Sequence, residues 1–69
     1  MWYLYIIKKH SNKYYTGITT NLANRILQHG NVPILYKEIF PDKHLAAKRE
    51  RQIKGWSRIK KEYLIAEST

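Results

Sequence analysis

Apolar residues crowd the start of the chain. Trp2-Tyr3-Leu4-Tyr5-Ile6-Ile7 is an unbroken aromatic and β-branched run, which suits a buried strand. His10-Ser11-Asn12 is polar and turn-like, and Lys13 to Ile18 then predicts a second strand paired with the first as a hairpin. Gly17 within it marks a place where backbone or ligand comes close. The period then changes. Leu22, Ala23, Ile26 and Leu27 recur as a helical stripe, with Thr20 or Asn21 able to cap the start and Gly30 placed to end it after Gln28 or His29. Asn31-Val32-Pro33 reads as a connection. Ile34 to Phe40 predicts a third strand, partly exposed because it carries Lys37 and Glu38.

After Pro41, Asp42 is suited to cap a second helix, with Leu45, Ala46 and Ile53 on one face and Gly55 at its end. Ser57 can cap a last short helix whose Ile59, Tyr63 and Ala66 share a side. The order β-β-α-β-α-α predicts an α+β fold, a three-stranded antiparallel sheet flanked by helices, in one domain over residues 1–69.

Composition narrows the picture. A chain of 69 residues without cysteine has neither disulfide nor thiolate-bound zinc, so two Trp, six Tyr and one Phe must supply much of the packing. The apolar run at the start is far short of the roughly 20 residues that cross a bilayer. It has no basic leader before it, so a soluble, cytoplasmic protein without membrane attachment is expected. The formal net charge is +8. Residues 41–69 hold eight of the 13 Lys and Arg but also four of the five acids, so each part carries an excess of +4. Such a surface favours a polyanion through phosphate neutralisation and counterion release.

Three sets of residues could carry chemistry. Arg25 and His29 stand four apart on the first helix, at the edge of its apolar stripe. There a guanidinium can fork onto phosphate and an imidazole can move a proton near neutral pH. Glu50 lies about 40° around the second helix from Ala46, at the margin of the buried face, among Lys48, Arg49 and Arg51. It suits either a surface ion pair or a metal ligand, since Mg²⁺ is often held by one or two carboxylates. Tyr3 and Tyr5 share a face of the first strand, while Tyr14 and Tyr15 point to opposite faces of the second. Taken singly, each of these residues has an ordinary structural explanation.

In order along the chain they resemble the GIY-YIG endonuclease superfamily. Tyr3-Leu4-Tyr5 corresponds to its first tripeptide and Tyr15-Thr16-Gly17 to its second. Asn21-Leu22-x-x-Arg25-x-x-x-His29 is similar to its Arg/His helix, and Glu50 within Ala47 to Lys54 to its metal-ligand helix. Ile53-Lys54-Gly55-Trp56-Ser57-Arg58, followed by Leu64-Ile65, resembles the small stand-alone bacterial members. The resemblance implies hydrolysis of DNA phosphodiesters with Mg²⁺ or Mn²⁺, with RNA as a further polyanion the charge admits. It implies that Tyr5 takes or relays the proton of the attacking water and that Tyr15 orients water or phosphate. Arg25 would bind the scissile phosphate, His29 would assist proton transfer or position Tyr5, and Glu50 would anchor the metal. Gly17, Lys48, Arg51, Lys54 and Arg58 are expected to contact nucleic acid.

The chain departs from the family in five places. The first motif lacks its Gly, and Thr16 replaces Ile in the second. Ile18 stands where larger members carry Lys, no Asn follows Asn31, and the segment after His29 is short. A nucleic-acid-binding module without turnover, or an accessory protein that docks a larger DNA-repair nuclease through an apolar patch around Trp56 and Tyr63, are the competing expectations.

Overall fold

The computed structural model describes residues 1–9 and 11–67; His10, expected in the hairpin turn, lies outside the described residues. β1 (Trp2–Lys8) is the central strand, flanked by β2 (Tyr14–Thr19) and β3 (Ile34–Phe40) and antiparallel to both. This placement accounts for its continuous apolar run. A strand covered on both faces needs no polar side, and Leu4, Tyr5, Ile6 and Ile7 are all fully buried. Asn12, at φ 65°, takes the left-handed conformation that Asn tolerates in the hairpin connection.

Strand alternation divides the core in two. Leu4 and Ile6 pack with Ile53, Trp56, Leu64 and Ile65, so α2 (Lys43–Lys54) and α3 (Arg58–Glu67) cover the even-numbered face. Tyr5 and Ile7 pack with Leu22 and Ile26 of α1 (Leu22–Gln28) on the other face. The fold is therefore α+β with the order β-β-α-β-α-α. Among the described residues no helix is long and apolar enough to cross a membrane.

The helix ends follow local chemistry. The Asn21 side chain caps α1 by accepting from the Asn24 N–H at 3.0 Å. Asp42 caps α2 by accepting from the Leu45 N–H at 2.9 Å, and Ser57 caps α3 by accepting from the Lys60 N–H at 3.3 Å. α1 closes in a Schellman turn. The Asn31 N–H donates to the Ile26 carbonyl at 2.9 Å, the Gly30 N–H donates to that of Leu27 at 3.1 Å, and Gly30 has φ 89°.

Some expected faces are corrected. Ala23 and Leu27 of α1 and Leu45 of α2 are exposed. A seven-residue helix buries little more than Leu22 and Ile26, and Leu45 lies about 100° around α2 from Ala46. α3 turns Leu64 and Ile65 inward, leaving Ile59 68% and Tyr63 67% exposed. Its rotation is held by Arg58, whose Nη1 donates to the Asn12 carbonyl at 2.9 Å and whose guanidinium lies 5.0 Å from the Tyr14 ring centroid.

Candidate active site

Register and a missing side chain set the geometry of the site. Tyr5 of β1 stands opposite Gly17 of β2. A Cβ at Gly17 would come within 2.6 Å of the Tyr5 hydroxyl oxygen and 2.8 Å of its Cζ. The phenol thus occupies the space that any other residue would fill, and Gly17 itself is buried. Gly17 thereby makes room for Tyr5.

Tyr15, two residues before Gly17, points to the same face, and its ring centroid is 6.1 Å from that of Tyr5. His29 is the C-cap of α1, so the Schellman turn that ends the helix also fixes its imidazole. The ring lies 4.8 Å from that of Tyr15 and 5.9 Å from that of Tyr5, and the Tyr5 hydroxyl is 3.1 Å from His29 Nε2. Tyr5 is 0% exposed, whereas Tyr15, Arg25 and His29 are half-buried. Solvent therefore meets the cluster through those three residues.

Burial pushes the Tyr5 phenol up to about 12, assisted by repulsion from Tyr15, hydrogen bonding with Tyr15 and the negative charge of Glu50; Arg25 acts in the opposite sense. Tyr5 is thus a neutral phenol at pH 7. Burial also lowers the His29 pKa from 6.5, helped by the positive charges of Lys9 and Arg25, so its imidazole is neutral at pH 7 and one ring nitrogen can take a proton.

Arg25 and Glu50 both act on Tyr5, though they come from helices on opposite faces of the sheet. Tyr5, Tyr15 and His29 pack together, and the charges of Arg25 and Glu50 act on Tyr5 from α1 and α2. The Glu50 carboxylate is 21% exposed and pairs with Lys54 Nζ at 3.5 Å. Among the described residues no three His, Cys, Asp or Glu side chains converge. A cation here would have Glu50 as its protein carboxylate and would complete its shell with water and substrate oxygens. Hard divalent ions accept such a donor set and structural zinc does not.

The expected nucleic-acid contacts divide. Lys54 is beside Glu50. Lys48 and Arg51 face away from the core on α2, where with His44 and Gln52 they line an open groove of about 670 Å³. Arg58 contacts Asn12, Tyr14 and Glu62 and ties α3 to the hairpin. One residue at the cluster was missed by the sequence reading. Lys9 Nζ lies 4.5 Å from the Tyr15 ring centroid. The alternation Tyr3, Tyr5, Ile7, Lys9 could have placed it on this face.

A family model described as the GIY-YIG catalytic domain matches residues 1–63. A UPF0213 protein of Staphylococcus saprophyticus is 38% identical over 77 residues, covering 94% of this chain and 94% of the relative. The UPF0213 protein YhbQ of Escherichia coli is 33% identical over 78 residues, covering 96% of this chain and 78% of the relative. Among solved structures, the solution NMR structure of a UPF0213 protein of Bacillus halodurans aligns with a TM-score of 0.68 at 30% identity, over 96% of this chain and 84% of that one.

Proposed function

The chain belongs to the GIY-YIG catalytic-domain family, and on that premise we propose that it is an endonuclease hydrolysing nucleic-acid phosphodiesters, DNA first, with Mg²⁺ or Mn²⁺. One observation supports this above the others. Tyr5, neutral and hydrogen-bonded to His29, lies in the combined influence of a guanidinium and a carboxylate.

In this reading Arg25 binds the scissile phosphate with its forked donors and steadies the charge that builds on it. His29 is the proton acceptor. It is half-exposed and neutral at pH 7, whereas Tyr5 is sealed from solvent and far too weak an acid to start as phenolate. The Tyr5 hydroxyl, hydrogen-bonded to His29 Nε2, holds the imidazole in place. Tyr15, half-exposed beside His29, orients water or phosphate. Glu50 holds the divalent ion, which when bound supplies charge neutralisation to the leaving oxygen.

The test is cleavage of branched, nicked, single-stranded and duplex DNA, with an RNA arm, in Mg²⁺, Mn²⁺ or EDTA. The parent is expected to cut only with metal, and Glu50→Gln and Arg25→Ala to lower the rate by about 10²-fold or more. Cleavage undiminished in purified Glu50→Gln would overturn the assignment. Salt-sensitive binding without cleavage of any form would make the chain a binding module instead.

A further inference from the structure

We propose that Lys9 is a second phosphate contact of this site, gripping the nucleic-acid backbone next to the phosphate held by Arg25. The proposal deepens the reading of the site as a nucleic-acid site and rests on it.

The hairpin fixes where Lys9 begins. Its N–H donates to the Lys13 carbonyl at 2.9 Å and its carbonyl accepts from the Asn12 N–H at 2.8 Å, so both backbone groups are tied. Continuing the odd-numbered face of β1, its side chain lies with Tyr5 and Ile7 rather than with α2 and α3. The ammonium then rests on the face of Tyr15, 4.5 Å from the centroid, and Tyr15 is itself packed on His29. A cation over an aromatic face is attracted to it, which orders the lysine while its N–H donors remain available.

Charge completes the case. Lys54, Arg49 and Arg58 each hold a carboxylate, whereas neither Lys9 nor Arg25 pairs with one among the described residues. Arg25 stands one turn before His29 on α1, the helix packed on the Tyr5 and Ile7 face, and both cations help lower the His29 pKa. Two such cations beside a solvent-facing cluster suit successive phosphates of one strand. Lys60 supplies an internal comparison. It lies over Trp56 at the same 4.5 Å, but on the face of the sheet away from the cluster.

The experiment measures binding of a fluorescent duplex DNA by anisotropy, without metal, across a salt series. The variants are Lys9→Met, which keeps the aliphatic stem and removes the charge, Lys9→Arg and Lys60→Met. Lys9→Met is expected to weaken binding several-fold at low salt and to lower the slope of log K against log salt by about one. Lys9→Arg should restore both, and Lys60→Met should match the parent. Where the parent cleaves, Lys9→Met should raise KM with kcat little changed. An unchanged slope in Lys9→Met, or an equal loss in Lys60→Met, would overturn the proposal. The binding arm needs no turnover, so a parent that binds without cutting refutes the nuclease reading and leaves Lys9 testable.

Discussion

Tyr5 is the residue on which the site turns, and its burial has a measurable consequence. Its pKa is about 12 in the folded chain against about 10 in the unfolded one, so between those values the unfolded state loses its proton first. Stability is then fully present below pH 10 and falls as pH rises toward 12, by up to roughly 3 kcal/mol from this group. Tyr36, also pushed up to about 12 by burial and by its hydrogen bond to Glu38, adds to the fall. Chemical denaturation of Tyr5→Phe across this range should show a shallower alkaline loss than the parent. Equal slopes would mean that the phenol is not desolvated. His29 has the opposite sign. Its lowered pKa keeps the neutral base populated below pH 6.5, so cleavage should hold there and fall about tenfold per pH unit only below the folded pKa. Removing the Lys9 charge should move that limb to higher pH. Gly17 is the third test at this scale. Gly17→Ala puts a methyl 2.6 Å from the Tyr5 oxygen, which should cost about 1–3 kcal/mol and displace the phenol from His29. Thermal denaturation with a tyrosine-to-histidine NOE would read both effects.

At the scale of elements, strands and caps were legible because their causes are local. An apolar run with no polar side implies a covered strand, and Asn21, Asp42 and Ser57 each satisfy an N–H three residues on. The convergence of Tyr5, Tyr15 and His29 follows from alternation and from the helix end, both readable once the hairpin register is known. The inward face of α3 was not legible. Ile59, Tyr63 and Ala66 form one apolar stripe and Leu64 with Ile65 form another, and helical periodicity does not choose between them. The choice rests on long-range ties. One is Arg58 to the hairpin, and the other is the packing of Trp56, which is half-buried against the core while Tyr63 is not. Trp56 also carries Arg49, 5.2 Å from its centroid, and Arg49 grips Glu38 of β3 at 3.2 Å. The docking patch expected around Trp56 and Tyr63 therefore divides. Thr16 shows a cost of the same packing. Its Oγ1 is buried on the face that α2 covers, with no hydrogen-bond partner among the described residues. Thr16→Val keeps the shape and removes the unpaired hydroxyl, so it should raise stability by about 1 kcal/mol in urea melts. A destabilised Thr16→Val would show that the hydroxyl is satisfied in solution.

For the molecule as a whole, size and charge act against stability together. A chain of 69 residues buries a limited core, and a net charge of +8 on so small a body repels itself. Three of its five acids are spent in pairs with Arg49, Lys54 and Arg58, and among the described residues the other cations form no ion pair. A polyanion that binds the folded chain relieves this repulsion and adds binding free energy to stability. At a ligand concentration 100 times Kd the gain is about 2.7 kcal/mol. For a domain of this size each kcal/mol raises Tm by roughly 4–8 °C, so a metal-free DNA duplex at low salt should raise Tm by more than about 10 °C. The shift should largely vanish in 0.5 M salt, where counterion release no longer favours binding. A Tm insensitive to DNA at low salt would mean that the positive charge only solvates the surface. A shift that persists at high salt would point to contacts that do not depend on phosphate.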